Sequence, residues 1–274
     1  MTKLPFKTIK DLKTKDLKGK FVLVRTDFNV PIEKGKVTDD SRLLSALPIL
    51  KYLAERGAKV LVLAHLGRAG TESLAPIALA LEPHIKIGFS KLVFAEERFK
   101  TMSNGQIMLL ENIRRHEEEE KNDKVFAKRL AGLADIYVND AFSASHRAHA
   151  SIVGVPKYLP SFAGLSFVKE YQELSRAFKA PHPFVVVLGG AKFETKLPVI
   201  KKLLPQADLV FGGGALAHPL WRKRGYEIGK SLVDDGVKGL ADILKDKKIQ
   251  LPVDVVVKTK DGRMTKKPEA VRKQ

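Results

Sequence analysis

Short apolar runs alternate along this chain with stretches of helical periodicity, and this alternation constrains the fold more than any other feature. In the first 150 residues the runs lie at 20–24, 59–64, 107–110 and 135–138. The run at 59–64 (KVLVLA) is apolar almost throughout, as expected of a strand that is covered on both faces. Strands that alternate with helices predict an α/β fold with a parallel, doubly wound sheet.

Helices are predicted between these runs. Leucines recur at helical spacing after Asp39–Ser41, which supplies N-cap residues, and Gly57 ends that pattern. The segment 125–134 has the pattern of a second amphipathic helix.

A second series of elements follows a break at Pro160 and Gly164. Its predicted strands are 184–188, 208–211 and 253–257, and its predicted helices are 196–204 and 215–224. A chain of 274 residues can hold two ordinary cores. We therefore predict an N-terminal domain at 1–167 and a C-terminal domain at 181–274. Both would be doubly wound parallel-sheet domains, joined by a hinge helix at 168–180.

The second domain is expected to be incomplete. It would have about three parallel strands, whereas sheets hold about 5–6 on average, and an exposed apolar edge strand favours aggregation. After Lys258 the sequence is polar and basic, and 260–274 is predicted to be a disordered tail. The alternative is a small second domain that this tail covers.

Composition excludes several classes of function. The chain has no cysteine, which excludes disulfides and thiolate chemistry, and it has no apolar run long enough to span a membrane. The N-terminus lacks the apolar core of a secretory signal, so a cytoplasmic protein is expected. The net charge of +18 indicates either a solvated lysine-rich surface or attraction of anionic metabolites or nucleic acid. No motif of a dedicated nucleic-acid-binding module occurs.

Polar strings at the ends of the apolar runs carry the candidate functional residues. In open α/β sheets, ligands bind at the carboxyl ends of the strands. The strings bring arginine and histidine to that edge, and the arginine fork matches carboxylate and phosphate oxygens in pairs. A small, multiply anionic substrate is therefore expected. The strings are 24–31 (VRTDFNVP), 64–68 (AHLGR), 111–120 (ENIRRHEEEE), 139–150 (NDAFSASHRAHA) and 188–196 (LGGAKFETK).

With these strings the sequence resembles the phosphoglycerate kinase family. They occur in the family's order and near its spacing, together with TDDSR at 38–42, VPKYLPSFAG at 155–164, FGGGALA at 211–217 and LPVDVVV at 251–257. The resemblance implies that the N-terminal domain binds 3-phosphoglycerate or 1,3-bisphosphoglycerate, and that the C-terminal domain binds ADP or ATP with Mg²⁺. It implies reversible phosphoryl transfer between these substrates in glycolysis, and a monomer.

The resemblance also assigns residues to roles. Arg42, Lys192 and Lys196 are the candidate catalytic residues, and Arg42 is the first candidate for contact with the transferring group. No residue is assigned as a metal ligand. The nucleotide pocket is assigned to Lys192, Lys196, Gly212, Gly213 and Gly214. Substrate binding is assigned to Asp27, Phe28, Asn29, Arg42, His65, Leu66, Gly67, Arg68, Arg114, His146, Arg147 and His149.

These roles are chemically reasonable, because phosphoryl transfer requires alignment and charge neutralisation rather than a side-chain nucleophile. Gly189 and Gly190 after a strand would let backbone N–H groups face an anion. Lys192 and Lys196, spaced i, i+4, are expected to share one helix face and to reach the same anion.

Several residues also have simpler interpretations. His65 could equally be a hydrogen-bonded structural histidine. Asp27 and Asn29 could be turn residues, and Gly212–Gly214 could be a tight strand-to-helix turn. The run Glu117–Glu120 is expected to be a solvated first helical turn, with which Arg115 could pair.

The sequence departs from the family in places. Ser143–Ser145 replaces Gly-Thr-Ala and would stiffen that loop, Ala69–Thr71 replaces Pro-Lys-Gly, and Pro219 falls inside a family helix, where only the first turn accommodates it. The family's later motifs, including the Gly-Gly-Asp turn that handles Mg-nucleotide, do not occur. We therefore expect a complete substrate half and weak phosphoryl transfer by the chain alone. The alternative function is a catalytically silent homologue that only binds phosphoglycerate.

Overall fold

The computed structural model describes residues 4–91, 93–234, 239–260 and 262–271. The chain divides into two compact units, Met1–Glu173 and Leu174–Gln274. The boundary falls inside the helix Leu165–Arg176. Within the described ranges, none of the helices has both the length and the apolar character that a membrane span needs.

Unit 1 is built on a six-stranded sheet whose neighbouring strands are all parallel, as the sequence predicted. The strands of this unit are β1 (Phe21–Arg25), β2 (Ile32–Glu33), β3 (Lys36–Val37), β4 (Lys59–Leu63), β5 (Ile87–Ser90), β6 (Ile107–Leu110), β7 (Ile136–Asn139) and β8 (Ser161–Ala163). The order in the sheet is β5-β6-β4-β1-β7-β8, and β2 and β3 form a separate antiparallel hairpin.

Helices cover both faces of this sheet. They are α1 (Thr14–Leu17), α2 (Ser41–Glu55), α3 (Ala75–Leu81), α4 (Glu96–Lys100), α5 (Glu117–Glu120), α6 (Lys124–Ala131) and α7 (Leu165–Arg176). Successive strand residues supply opposite cores: Val22 packs in the cluster that holds Leu50 of α2, and Leu23 packs in the cluster that holds Leu130 of α6. This explains why β1 and β4 are apolar on both faces.

Unit 2 has a three-stranded parallel sheet in the order β11-β10-β9. Its core includes Val186, Val210 and Trp221. The strands are β9 (Val185–Leu188), β10 (Leu209–Gly212), β11 (Ile249–Gln250), β12 (Val255–Thr259) and β13 (Gly262–Lys266), and the helices are α8 (Leu197–Leu203), α9 (Ala217–Lys223) and α10 (Leu240–Lys245).

Two predictions about the end of the chain are wrong. The third parallel strand is Ile249–Gln250, not 253–257, and Val255–Thr259 instead pairs antiparallel with Gly262–Lys266. The segment 260–274 therefore contains a strand, followed by a 3₁₀ turn at Pro268–Ala270. The two strands of a hairpin pair through backbone groups and do not need apolar side chains. The polar composition of this segment therefore did not indicate a strand. Asp261 and residues 272–274 lie outside the described residues.

Candidate functional site

The carboxyl ends of four neighbouring strands form one edge of the sheet in unit 1. Strands β6, β4, β1 and β7 lie side by side and parallel, so the loops that follow them meet there. Those loops begin at Glu111, Ala64, Thr26 and Asp140. The first four polar strings of the sequence therefore come together at this edge, as predicted.

Arg25, the last residue of β1, is buried at this edge with 1% of its surface exposed. Its Nη2 lies 2.9 Å from Nδ1 of His65, and its Nε donates to Oγ of Ser151 at 2.9 Å. Its Nη1 donates to the carbonyl oxygen of Thr26. Because a guanidinium only donates, Nδ1 of His65 is the acceptor, and the ring proton is assigned to Nε2.

His65 is neutral in this setting. Burial lowers the pKa of its imidazole to about 2, and the positive charges of Arg25, Arg114 and Arg147 act in the same direction. At neutral pH the ring offers an N–H hydrogen bond and not a positive charge. The bond to Arg25 supports the interpretation of His65 as a hydrogen-bonded structural histidine. Its Nε2–H could still donate a hydrogen bond to a ligand oxygen.

Arg114 is buried, with only 8% of its surface exposed. Not all of its N–H donors have an acceptor among the described residues. Its Nη1 donates to the carbonyl oxygen of Gly67 at 2.5 Å. Its Nε lies 3.2 Å from a carboxylate oxygen of Glu120 but is not aligned for a hydrogen bond. Its Nη2 has no hydrogen-bond partner among the described residues. A buried donor without a partner costs free energy, so an anion that met this guanidinium would be stabilised.

The loop that follows β4 is held by its neighbours. The N–H of Gly67 donates to Oδ1 of Asn29 at 3.0 Å. The buried amide of Asn112 bonds both backbone groups of Leu66, at 3.3 Å to the N–H and 2.9 Å to the carbonyl. A cavity of about 330 Å³ lies beside this loop, with Asn29, Leu66 and Gly67 in its lining. The loop is thus shaped before any ligand binds.

Asp27 binds three donors from different parts of unit 1. Arg42 Nη1 and Ser143 Oγ both donate to its Oδ2, and the N–H of Asn29 donates to its Oδ1 at 3.1 Å. The bond to Asn29 is the local turn that the sequence allowed for. The other two bonds make Asp27 the anchor of Arg42, whose side chain is 48% exposed.

The other assigned residues differ in exposure. The side chains of Phe28 and Leu66 lie in the core, so only their backbone groups could contact a ligand. The remaining ones are exposed or half-buried: Arg68, His146, Arg147 and His149.

Glu119 contradicts the prediction that Glu117–Glu120 is a solvated turn. It is fully buried, and it accepts hydrogen bonds from N and Oγ of Ser151 at 2.8 and 2.5 Å. The turn packs one of its faces against the loop after β7, so one carboxylate of the run lies inside. Nothing in four consecutive glutamates marks which one is buried. Arg115 lies 3.5 Å from Glu111 and forms this ion pair instead of one with the acidic run.

Asp140, which no sequence motif singled out, lies beside a cavity of about 170 Å³ that Asp27 and Arg42 help to line. Its Oδ1 accepts from the N–H groups of Ser166 and Phe167 at 2.7 and 3.2 Å, at the start of α7. Its Oδ2 is buried and lacks a partner among the described residues. Burial raises the pKa of this carboxyl group to about 6, against the opposing effect of those bonds.

In unit 2, glycine-rich loops follow the neighbouring parallel strands β9 and β10. The N–H of Gly213 donates to the carbonyl oxygen of Leu188 at 2.8 Å. Gly190 and Gly214 have φ values of +128° and +59°, which favour glycine. The two loops therefore lie together at the carboxyl edge of this sheet, where the resemblance places nucleotide phosphates.

The prediction that Lys192 and Lys196 share one helix face is wrong. Helix α8 begins at Leu197, so Lys196 is its N-cap residue and Lys192 lies in the preceding loop. Pro198 favours a helix start at this point, because it lacks the N–H that a later position would need. Phe193, between the lysines, is 1% exposed and anchors the loop in the core.

The departures from the family have local explanations. The hydroxyl of Ser143 bonds Asp27, which ties that loop to β1. Gly70 has φ +72°, and a Cβ there would lie 2.2 Å from the carbonyl oxygen of Arg114, so only glycine fits. Pro219 is the third residue of α9 and thus lies in the first turn, as expected.

Comparisons with known proteins agree with this geometry. The family model described as phosphoglycerate kinase matches residues 9–274. The chain is 46% identical to the phosphoglycerate kinase of Dictyoglomus turgidum and 44% identical to that of Moorella thermoacetica, each over 267 residues. These alignments cover 92% and 91% of this chain and 67% of each relative, so the chain spans about two thirds of their length.

Solved structures give the same result. The phosphoglycerate kinase of Coxiella burnetii matches with a TM-score of 0.81 and 35% identity, covering 98% of this chain and 72% of that one. The enzyme of Pyrococcus horikoshii matches with a TM-score of 0.78 and 31% identity, covering 97% and 72%.

Proposed function

The chain belongs to the phosphoglycerate kinase family, and we propose that it transfers a phosphoryl group reversibly between 1,3-bisphosphoglycerate and ADP. The family makes it a phosphotransferase of glycolysis. The relatives do not favour the alternative of a catalytically silent homologue.

The observation that carries the substrate assignment is the buried, incompletely paired guanidinium of Arg114 at the carboxyl edge of unit 1. Its free Nη2 and misaligned Nε are donors in a place from which water is largely excluded. Electrostatic attraction and charge-assisted hydrogen bonds are strong in such a setting. Both atoms are shielded in the ligand-free chain, so a phosphate or carboxylate of phosphoglycerate would satisfy them by displacing the groups that cover the guanidinium.

The surrounding residues extend this site. Asp27 orients Arg42, whose half-exposed guanidinium would reach the charged group in transfer, and Asn29 shapes the loop that carries Arg68. His65 would donate its Nε2 proton to a ligand oxygen. The exposed side chains His146 and Arg147, with the half-buried His149, would complete the binding of a multiply anionic ligand.

For unit 2 we propose that Lys192, Lys196 and the glycine loop 212–214 bind the phosphates of the nucleotide. Mg²⁺ would enter as part of the nucleotide substrate. The proposal includes a Rossmann-like nucleotide unit and a cytoplasmic monomer.

Calorimetric titration tests the substrate assignment. The chain should bind 3-phosphoglycerate saturably and should bind glycerate, which lacks the phosphate, much more weakly. Arg42→Ala should weaken binding by about tenfold or more, since a charge-assisted bond contributes roughly 1.5–3 kcal/mol. Arg56→Ala is the matched control, because Arg56 stacks on Tyr52 away from the strand-end loops. Equal affinity for glycerate and phosphoglycerate would contradict the assignment.

A coupled assay with 3-phosphoglycerate and Mg-ATP tests the reaction. Turnover that requires both substrates supports the kinase. Tight phosphoglycerate binding with no turnover would support the catalytically silent homologue instead.

A further inference from the structure

Glu119 is a buried carboxylate outside the set of residues assigned to the substrate. It lies in the short helix α5, and none of its surface is exposed. Both its oxygens accept from Ser151, Oε2 from the backbone N–H at 2.8 Å and Oε1 from the hydroxyl at 2.5 Å. Burying a carboxylate costs free energy unless hydrogen bonds or opposite charges compensate it, so the groups that bond Glu119 indicate its role.

The hydroxyl of Ser151 has a fixed orientation. Its single proton is committed to Glu119, so its oxygen lone pairs are left to accept. One of them accepts from Nε of Arg25 at 2.9 Å. The phenol of Tyr137 also donates to the Ser151 carbonyl at 2.5 Å, which fixes the backbone at this position.

Arg25 then orients His65. Its Nη2 meets Nδ1 of the imidazole at 2.9 Å, and the direction of that bond places the ring proton on Nε2. An unbroken series of hydrogen bonds thus runs from Glu119 through Ser151 and Arg25 to His65.

We propose that Glu119 is a positioning residue that fixes, through Ser151 and Arg25, the Nε2-protonated form of His65. Binding of phosphoglycerate by that proton rests on the proposed function, but the tautomer itself does not. The negative charge of Glu119 is the buried counterion of the Arg25 guanidinium, with one hydroxyl between them. Among the described residues, the other groups whose charge acts on His65 are Arg114, Arg147 and His149, none of which can supply a negative charge. The Nδ1 atom of His149 lies 3.8 Å from Oε1 of Glu119, farther than the Ser151 hydroxyl, so it interacts with this carboxylate more weakly.

The experiment is nitrogen NMR of the histidine rings in the full chain labelled with ¹⁵N-histidine. The His65 signals are identified by their loss in His65→Gln. The wild type should show one protonated and one unprotonated ring nitrogen, with the proton on Nε2. Glu119→Gln removes the carboxylate charge, and Ser151→Ala removes the bridging hydroxyl while leaving the backbone N–H bond to Glu119. Glu118→Gln is the matched control, because Glu118 is an exposed carboxylate in the same helical turn.

Glu119→Gln and Ser151→Ala should both move the His65 nitrogen shifts toward the average of two tautomers, and Glu118→Gln should not. Both variants should also weaken 3-phosphoglycerate binding roughly two- to tenfold, the amount that one hydrogen bond contributes. Glu119→Asp, which keeps the charge, should restore part of both losses.

A purely structural role for Glu119 predicts lower stability with unchanged His65 shifts, and that result would overturn the proposal. A wild-type ring with its proton on Nδ1 would do so as well. If Glu119→Gln does not fold, the His65 shifts of Ser151→Ala alone decide between the positioning role and a purely structural one. The shifts are measured without ligand, so a wild type that binds no phosphoglycerate would count against the proposed function and not against this inference.

Discussion

The two units place their polar loops at the same point of a parallel sheet but build them differently. In unit 1 the strand ends and the segments that follow them carry buried charged groups, Arg25, Arg114 and Glu119, which hydrogen bonds hold in place. In unit 2 they carry glycine loops and two lysines, of which Lys192 is exposed. The first edge is therefore shaped in advance, while the second is proposed to bind through backbone N–H groups, the exposed Lys192 and the half-buried Lys196.

This difference has an energetic meaning. Groups that are buried and already oriented lose little entropy when a ligand binds, and they act in a medium of low dielectric constant. Exposed lysines must be ordered on binding, and water and salt screen them. We therefore expect single substitutions to have larger effects in unit 1 than in unit 2.

The largest effect is expected for Arg114→Ala. Loss of a buried guanidinium that bonds the ligand should weaken 3-phosphoglycerate binding roughly 10–150-fold, which corresponds to about 1.5–3 kcal/mol. Arg115→Ala removes the same charge from the next residue, which is exposed and paired with Glu111, and should change the affinity by less than about threefold. Calorimetry on both variants checks this. Equal losses would mean that net charge, and not the buried geometry, determines binding.

Asp140→Asn tests the second incompletely paired group of unit 1. Burial raises the pKa of Asp140 to about 6 in the folded state, above its ordinary value of 3.8. Folding therefore favours the protonated form, and the stability that this group contributes is lost as the pH rises from about 4 through 6. Asparagine keeps an oxygen for the N–H groups of Ser166 and Phe167 without the charge.

The variant should be more stable than the wild type above pH 7, by up to about 3 kcal/mol, and the gap should close toward pH 4. Denaturant unfolding at several pH values measures this gap. Asp40→Asn is the matched control, because Asp40 is exposed and its side chain makes no capping bond. A variant that is less stable than the wild type above pH 7 would show that the charged form of Asp140 supports the start of α7.

In unit 2 we expect Lys192→Ala and Lys196→Ala each to weaken ADP binding by about three- to tenfold, in the range of exposed charge-assisted contacts. Lys223→Ala, at the exposed end of α9, is the control and should leave the affinity unchanged. Fluorescence or calorimetric titration of the three variants with ADP measures these affinities. A loss of 100-fold at either lysine would contradict the contrast between the units.

The smallest effect is expected from salt. Raising the ionic strength should weaken 3-phosphoglycerate binding several-fold and change the unfolding midpoint little, because the Debye length is about 8 Å at physiological strength. ADP binding should depend more steeply on salt, since Lys192 is exposed whereas Arg114 is buried. Flat affinities for both ligands would indicate that neither site is held by charge.

Much of this arrangement could be predicted from the sequence. The long apolar runs located β1, β4, β6 and β7, and the polar strings after them gave the edge where the loops meet. The edge strands β5 and β8 were missed because neither Ile87–Ser90 nor Ser161–Ala163 carries a continuous apolar run. The antiparallel hairpin near the chain end was missed because its strands pair through the backbone.

The site was predictable at the level of residue types and not of burial. A motif shows that Arg114 and His65 are present, but only packing shows that the guanidinium is buried with free donors and that the imidazole is neutral. Glu119 shows most clearly that residue type does not reveal burial, because its neighbours in the run are chemically identical to it. Likewise, Lys192 and Lys196 have helical spacing, but the helix begins at Leu197, one residue after Lys196 and five after Lys192.

The most direct test of the contrast between the units is a ¹H–¹⁵N titration of the chain with 3-phosphoglycerate in the absence of nucleotide. A preformed edge in unit 1 predicts saturable binding, with the largest shift changes at 25–29, 64–68, 111–115 and 139–149 and small ones at 189–196 and 212–214. Absence of saturable binding at millimolar ligand, or the largest changes in the glycine loops of unit 2, would contradict it.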